Sequence, residues 1–432
     1  MSTSAVQTGA SVDLRYGDSL TGTHASGPVV RDTVAIAGLS MEDQLFASVN
    51  DTDNSAVQNG GAGIFGLGFP SQSFIQAAVV NNQFNDPETT DAFVARTAAD
   101  GPLVARLAMS GQVQFPMFSV TLQRNTIDIG GNEGRITIGD YPPEITPSDI
   151  TWVPVRLYRP EDGGQNPPTF APDEVYPLRW EVPLDGVFLD GERLPDTNLT
   201  GDGLDSNPLT ALIDTGNSLM RGPSDVVTTI SQIISLGNTP SLEEPTSFPC
   251  STPHTLAFQI GGKMFPVDPR DFVTPDDDGD ALNCTAGNLV ETDPPSIAAL
   301  FSWNLGDPFF KSNVVIFYYG NLTNPSVDPP RIGFVSTVPD NAGDLLRSAV
   351  EVAEQNGGEF PSTVDIAPPA GVVTNVAAGP LPSIPTQEVS GGNQASGSIA
   401  QTSSSSTIYD YRPHPAFCPS FMFWCLFLYF FP

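Results

Sequence analysis

Glycine and proline interrupt this chain so often that few segments are long enough to form an extended helix. The 432 residues include 40 glycines and 42 prolines, and the apolar runs between them are short. Stretches such as SVDLRYG, DTVAIAGL and RITIGD alternate apolar with polar residues, which is typical of strands bounded by turns. The pattern therefore predicts an all-β fold, with a more helical stretch over residues 72–110.

The charge balance excludes one class of partner. The chain carries 17 Lys and Arg against 49 Asp and Glu, a formal net charge of −32. A nucleic-acid-binding surface needs clustered basic residues, so we expect no nucleic-acid partner. The three histidines lack ligand spacing, and we expect neither a metal site nor another cofactor. The acidity fits a secreted protein that works in acid, and it equally fits a simple solubility effect.

Cysteines and glycosylation sequons favour an oxidising, extracellular or cell-surface location. Cys250 and Cys284 lie in the globular part of the chain and are expected to form one disulfide. Sequons of the Asn-x-Ser/Thr type also fit secretion, although this pattern often arises by chance. The N-terminus nevertheless lacks the apolar core of a signal peptide, so we expect that the front of the protein is missing from this sequence. The sequon asparagines are Asn50, Asn198, Asn283 and Asn321.

The stretch ALIDTGNSLMRGP, at residues 211–223, carries the strongest functional signal. An apolar run leads into Asp214, which predicts an acid at the end of an interior strand. Gly216 permits a tight turn, and Thr215 and Ser218 can hydrogen-bond around the carboxylate. A carboxylate held in this way can orient a water molecule, whereas an isolated Asp-Thr-Gly more often only stabilises a turn.

Several motifs in order resemble those of the pepsin-type aspartic proteases, of the secreted or surface-anchored fungal kind. ALIDTGNSL is similar to the second active-site loop of that family, and LRYGDS is similar to its flap hairpin. GIFGLGFP and SWNLGDPFF resemble the two segments that thread beside the active-site loops, and the Cys250–Cys284 spacing resembles that of the second-lobe disulfide. The resemblance covers about residues 11–337 and implies two β lobes with a cleft between them.

The resemblance implies an aspartic endopeptidase, in which two carboxyls share a proton and activate a water molecule, most effectively in acid. It implies Asp214 as a catalytic acid, supported by the loop residues named above. It also assigns Tyr16, Gly17 and Asp18 to a flap that closes over the substrate. The expected partners are extended peptides or proteins, and the protein is expected to be a monomer.

The chain departs from the family pattern because it contains one Asp-Thr-Gly where the family has two. Gly306 of the second threading segment follows Asp214 by 92 residues, and the same distance before Gly66 of the first segment falls ahead of Met1. We therefore expect the first active-site loop to be missing and the N-terminal lobe to be incomplete. Two interpretations stay open: a truncated record of an active protease, or a catalytically dead relative that still binds peptides.

Two smaller departures lie beside the expected site. Asn217 stands where Thr or Ser is usual, and its side chain is expected to hydrogen-bond toward the carboxylate all the same. Asn304 replaces an apolar residue of the second threading segment and is expected to disturb the burial of that segment.

Composition divides the chain into four predicted regions. The incomplete N-terminal lobe covers residues 1–149, the C-terminal lobe covers 150–339, a low-complexity stalk covers 340–415, and a hydrophobic tail covers 416–432. A short helix is expected near the start of the stalk. The tail has three interpretations: the signal for a GPI lipid anchor, a mis-joined exon, or an apolar segment that lies in a membrane interface. A lipid anchor would be the only expected link to a membrane.

Overall fold

A computed structural model of the chain describes residues 4–16, 22–54, 61–84, 94–96, 99–199, 208–235, 247–276, 279–291, 302–361 and 407–408. Short strands predominate in these residues, and the helices between them are mostly short. The predicted all-β character is therefore confirmed.

The strands are β1 (Val6–Tyr16), β2 (Thr23–Ile36), β3 (Leu39–Ala47), β4 (Asp51–Thr52), β5 (Met117–Thr121), β6 (Arg135–Ile138), β7 (Thr151–Pro154), β8 (Leu157–Tyr158), β9 (Tyr176–Pro177), β10 (Glu181–Pro183), β11 (Gly186–Leu189), β12 (Glu192–Arg193), β13 (Thr210–Ile213), β14 (Met220–Gly222), β15 (Phe248–Pro249), β16 (Leu256–Ile260), β17 (Lys263–Pro266), β18 (Thr274–Asp276), β19 (Asp280–Thr285), β20 (Leu289–Glu291), β21 (Trp303–Leu305), β22 (Asn313–Tyr318), β23 (Arg331–Ser336) and β24 (Thr407–Ile408). The α-helices are α1 (Phe74–Phe84), α2 (Leu103–Ser110), α3 (Ser224–Ile234), α4 (Pro269–Phe272), α5 (Asp307–Ser312) and α6 (Ala342–Gln355).

The first sheet is a long hairpin with two added strands. Strands β1, β2 and β3 pair antiparallel in sequence order, and the short β4 pairs with β2. Along β1, Ala10 and Val12 are buried while their immediate neighbours are exposed, as expected for a strand with one face on a core. These side chains pack with Val29, Leu45 and the helical residue Val79. Helix α1 therefore covers one face of the hairpin.

A six-stranded antiparallel sheet joins early and late parts of the chain, in the order β24-β6-β5-β22-β23-β7. Phe118 of β5 stacks on Phe317 of β22, with ring centroids 4.6 Å apart. Strands β5 and β6 belong to the first predicted lobe, whereas β7, β22 and β23 belong to the second. The sheet therefore connects the two predicted lobes.

A five-stranded sheet positions the Asp-Thr-Gly stretch, in the order β10-β13-β21-β14-β20. Strand β21 runs parallel to β13 and antiparallel to β14, so it lies between two strands that are consecutive in the sequence. The apolar run that predicted an interior strand is β13, in which Ala211 and Ile213 are buried. The turn that follows β13 must therefore cross the end of β21.

Smaller sheets complete the second half of the chain, in the orders β12-β11-β16-β17, β15-β19-β18 and β8-β9. Cys250 and Cys284 form the predicted disulfide beside the β15–β19 pairing. Helix α6 forms where a short helix was expected and packs against α4 and β19. Among the described residues, no helix is long and apolar enough to cross a membrane. Most of the stalk and the whole hydrophobic tail lie outside the described residues.

Candidate active site

Asp214 directly follows β13 and continues its pairing with the neighbouring strand. Its backbone N–H donates to the Leu305 carbonyl oxygen at 3.1 Å. The residue is half-buried, and its carboxyl group contacts the turn and β21. An interior strand therefore delivers a carboxylate to the edge of the core, as the sequence predicted.

Backbone groups of the following turn hold this carboxylate. The Gly216 N–H donates to Asp214 Oδ1 at 2.8 Å. The Asn217 N–H donates to the Asp214 carbonyl oxygen at 3.2 Å, which closes the turn. Thr215, Gly216 and Ser218 are each half-buried here. The predicted loop residues thus surround Asp214, while hydrogen bonds from the Thr215 and Ser218 hydroxyls to its carboxylate stay a prediction.

Gly306 allows the second threading segment to pass directly beneath the turn. A Cβ at this position would lie 2.0 Å from the Asn217 carbonyl oxygen and 2.3 Å from that of Leu219. The Asp307 N–H donates to the same Asn217 oxygen at 2.8 Å. Only a residue without a side chain permits so close an approach.

Asn304 is the second amide beside the site, and its segment is buried although we expected this residue to disturb that burial. It is 6% exposed, and its neighbours in β21, Trp303 and Leu305, are 1% and 0% exposed. The expected disturbance of burial is therefore wrong. The reason is that the Asn304 Nδ2–H donates to Asp214 Oδ2 at 3.3 Å, which partly offsets the cost of burying the amide.

The prediction that the Asn217 side chain hydrogen-bonds toward the carboxylate is also wrong. Its Oδ1 accepts a hydrogen bond from the Leu219 N–H at 3.2 Å. Its Nδ2 is buried and has no hydrogen-bond partner within the described part of the chain. The Asn217 amide therefore braces its own turn, and Asn304 supplies the side-chain donor to Asp214.

Burial raises the pKa of Asp214, because the ionised carboxylate loses its hydration. The Gly216 N–H and the Asn304 amide act against this effect and lower the pKa, and so does the positive charge of Arg221 on β14. The carboxyl group therefore retains its proton more readily than an exposed aspartate. Its hydrogen bonds stabilise the ionised form and so oppose the rise in pKa that burial causes.

Asp307, the first residue of α5, is a second acid with unusual electrostatics. Burial raises its pKa to about 7, the positive charge of Lys311 opposes this rise, and the negative charge of Asp214 adds to it. The two carboxyl groups therefore repel each other when both are ionised. Composition and spacing gave no signal for this behaviour, because it arises from burial and from the contact between two distant segments.

The first threading segment, GIFGLGFP, contacts the middle of the molecule. The Leu67 carbonyl oxygen accepts hydrogen bonds from Trp180 Nε1 at 3.0 Å and from the Tyr319 hydroxyl at 2.8 Å. Phe69 packs on Trp180 with ring centroids 4.2 Å apart. In contrast to Gly306, a Cβ at Gly66 would meet no described atom within 4 Å.

The predicted flap corresponds to the hairpin of β1 and β2. Tyr16 ends β1 and pairs with Thr23 of β2, in a different sheet from the one that leads to Asp214. Gly17 and Asp18 lie outside the described residues, so their predicted roles stay predictions.

The predicted glycosylation sites lie at or near the surface. Asn50, Asn198 and Asn283 are exposed, and Asn321 is half-buried. The Asn283 Nδ2, the atom that a glycan would modify, donates to Asp280 Oδ2 at 3.0 Å. The side chains are therefore accessible at three of the four sequons.

Comparison with known proteins identifies the family. The family model for eukaryotic aspartyl proteases matches residues 1–327. Mouse (Mus musculus) cathepsin E is 27% identical over 322 residues, which cover 73% of this chain and 65% of that protein. Pig (Sus scrofa) pepsin A is 26% identical over 67% of this chain and 60% of its own length, and an aspartic protease of Phaffia rhodozyma is 26% identical over 75% and 63%.

The chain therefore spans somewhat less than two thirds of these curated relatives. The extent of the family match agrees with the range of the motif resemblance, and the strand-rich architecture agrees with a pepsin-like fold. The chain belongs to the eukaryotic aspartyl protease family.

Proposed function

We propose that this chain acts as an aspartic-type endopeptidase, with Asp214 as a catalytic carboxyl group. The observation that carries the proposal is a half-buried aspartate at the end of an interior strand, whose two oxygens accept hydrogen bonds from Gly216 and Asn304. Membership of the aspartyl protease family supports the same chemistry. The substrates would be peptides or proteins in extended conformation.

The reaction needs a base and an acid at one site. An ionised Asp214 can accept a proton from a water molecule as that water attacks the peptide carbonyl carbon. A second, protonated carboxyl group would stabilise the negative charge that develops on the carbonyl oxygen. Asp214 cannot hold both protonation states at once, so the full reaction requires a partner acid opposite it.

The sequence contains a single Asp-Thr-Gly. We therefore propose that these 432 residues supply one carboxyl group of the pair and are slow or inert on their own. The same observation favours a second candidate function, that of a catalytically dead pepsin-like protein that binds peptides without cleaving them.

Several further features are proposed from the sequence. Tyr16 would order the flap over a bound peptide, together with Gly17 and Asp18. A disulfide and exposed sequon asparagines support an extracellular or cell-surface location, with the hydrophobic tail as a candidate lipid-anchor signal. Work at acidic pH and a monomeric state are proposed from the family resemblance.

The test compares peptide cleavage by two proteins: the chain itself, and the product of the full transcript, sequenced through the region upstream of Met1. The Asp214→Asn variant of each protein is measured beside it. We expect cleavage in acid by the transcript product, with a loss of roughly 10³-fold or more in Asp214→Asn, because the base is removed. Asp344→Asn, at an exposed acid of α6, is the matched control and should leave cleavage unchanged.

Calorimetric binding of a statine-type peptide, a mimic of the transition state, separates the two candidate functions. Binding without cleavage in every form would favour the peptide-binding candidate. Cleavage that survives Asp214→Asn would contradict the proposed role of Asp214.

A further inference from the structure

We propose that Asn304 is a positioning residue for Asp214, whose side-chain amide fixes the second carboxylate oxygen and favours the ionised form. The importance of this role for catalysis rests on the proposed function. The amide itself is a feature of this chain, at a position where the sequence pattern led us to expect an apolar side chain.

The fold presents this amide from a rigid element. Asn304 is the middle residue of β21, and its backbone is in register with Leu212 of β13 on one side and with Arg221 of β14 on the other. Both neighbouring strands therefore fix its backbone. Alternation along the strand places its side chain on the opposite face from those of Trp303 and Leu305. From there, Nδ2 reaches Asp214 Oδ2 at 3.3 Å.

The two oxygens of Asp214 consequently have separate donors. Oδ1 accepts from the backbone N–H of Gly216, which any residue at that position could supply. Oδ2 accepts from a side chain 90 residues away in the sequence. Of these two contacts, the one from Asn304 depends on residue type, and it limits rotation of the carboxylate plane.

The amide is costly as a purely structural choice. Asn304 is 94% buried, since only 6% of it is exposed, and its Oδ1 has no hydrogen-bond partner among the described residues. Leucine has the same number and branching of side-chain heavy atoms and would carry neither a buried unpaired acceptor nor an amide to desolvate. The side chain is therefore better explained by its contact with Asp214 than by the stability of β21.

Other charges act on Asp214, but none of them replaces this contact. Arg221 on β14 favours the ionised form, whereas Asp307 on α5 opposes it, and Lys311 partly neutralises Asp307. These three groups act through their charge, and the charge of Asp307 changes with pH. The Asn304 amide does not titrate, so it favours the ionised Asp214 at every pH. Its hydrogen bond lowers the pKa of Asp214, in agreement with the geometry.

The test is the pH titration of Asp214 in the full chain with Asn304 replaced by leucine. Aspartate labelled with ¹³C at the carboxyl carbon reports ionisation directly, and the resonance that disappears in Asp214→Asn assigns the signal. We expect Asn304→Leu to raise the titration midpoint of Asp214 by about one pH unit, because a hydrogen bond to the charged form is lost. An unchanged midpoint would overturn the proposal.

Asn313→Leu is the matched control. Asn313 is fully buried, its Nδ2 donates to two carbonyl oxygens at 3.1 Å, and its Oδ1 has no partner within the described ranges. It therefore repeats the burial and the half-satisfied amide of Asn304 without a contact to Asp214. The control should leave the midpoint unchanged even where it lowers stability.

A second measurement covers the case in which Asn304→Leu does not fold. In the wild-type chain, the side-chain amide protons of Asn304 should shift over the same pH range as the Asp214 carboxyl carbon, and signals that stay constant would overturn the proposal. Neither measurement requires turnover. A chain that titrates as expected, while the transcript product cleaves nothing in acid, would thus contradict the proposed function alone. Cleavage by the transcript product together with an unaffected Asn304→Leu titration would contradict this inference alone.

Discussion

Two aspartates on neighbouring segments, Asp214 and Asp307, are electrostatically coupled through the packing of α5 beneath the turn that follows β13. The Asp307 backbone amide donates to the Asn217 carbonyl oxygen, which fixes the start of the helix against the turn. Burial, more than the charge of Asp214, raises the pKa of Asp307, and Lys311 offsets only part of this rise. A change of pH near neutrality therefore changes the charge beside Asp214.

We predict that Asp307→Asn stabilises the protein above pH 7 and leaves its stability unchanged in strong acid. The pKa of Asp307 is about 7 in the folded chain against 3.8 for an exposed aspartate, so its ionisation opposes folding increasingly between these values and fully above them. Below pH 3.8 both states are protonated and the difference vanishes. A shift of the pKa from 3.8 to about 7 corresponds to a gain of about 4 kcal/mol in the free energy of unfolding at high pH, and solvent that reaches the half-buried residue reduces this gain.

Urea unfolding of the wild type and the variant on both sides of this pH window measures the effect. Asp344→Asn is the control, because Asp344 also lies in the first turn of a helix but is exposed. Equal stability of Asp307→Asn and the wild type at high pH would show that the Asp307 carboxylate is hydrated and that its pKa is that of an exposed aspartate.

The sequence predicted the position of Asp214 because its signal is local: an apolar run, an acid and a glycine follow one another. The behaviour of Asn304 and Asp307 could not be predicted in the same way. Both depend on the parallel pairing of β13 with β21, which brings together residues 90 positions apart. Asn217 shows the same limit, since an amide at that position can bond either the carboxylate or its own turn, and only the folded geometry decides.

At the scale of elements, the hairpin of β1 and β2 is held near its tip by an imidazole between two carboxylates. The ring of His24, near the start of β2, places Nδ1 2.9 Å from Asp53 Oδ1 and Nε2 3.4 Å from Asp51 Oδ2. The Thr52 hydroxyl donates to the His24 carbonyl oxygen at 2.6 Å. These contacts attach β4 to β2 directly after the predicted flap tip.

We predict that His24→Ala loosens the attachment of β4 without unfolding the hairpin. The His24 backbone N–H, which alanine retains, and the imidazole, which alanine lacks, both lower the pKa of Asp53. The contribution of the imidazole contact to stability is therefore present above pH 3.8 and is lost as the pH falls through the lowered value. Above that pH, amide hydrogen exchange of β4 and the first residues of β2 should accelerate by roughly two- to five-fold in the variant.

Arg15→Ala provides the comparison for this element. Arg15 lies opposite His24 on β1 and forms an ion pair with Asp13, but both partners are largely exposed. Its loss should leave the exchange rates close to those of the wild type, because exposed pairs contribute little. Equal rates in His24→Ala and the wild type would argue against an anchoring role for the imidazole.

At the scale of the whole molecule, an aromatic cluster joins the two predicted lobes. Trp180 lies 4.2 Å from Phe69 and 5.1 Å from both Phe317 and Tyr319, measured between ring centroids. Phe69 comes from the first predicted lobe and the other three from the second. Together with the six-stranded sheet, the cluster favours one cooperative unit over two independent ones.

We predict that Trp180→Ala lowers the free energy of unfolding by about 3–5 kcal/mol and leaves a single unfolding transition. Trp152→Ala is the matched control and should cost less, since Trp152 is only partly buried and packs against Tyr318 and Arg331. Urea unfolding, followed by hydrogen exchange of both lobes, tests this. Two separate transitions in the wild type would show that the predicted boundary near residue 150 divides independent folding units.

The insertion of β21 between β13 and β14 also sets an order of events during biosynthesis. The ribosome releases Asp214 and its turn about 90 residues before Asn304 and Gly306 emerge, so the nascent chain first carries the aspartate without the strand that supports it. Closing so long a loop is slow compared with forming a local hairpin. The hydrogen-bonded environment of Asp214 is therefore completed only after β21 has been synthesised.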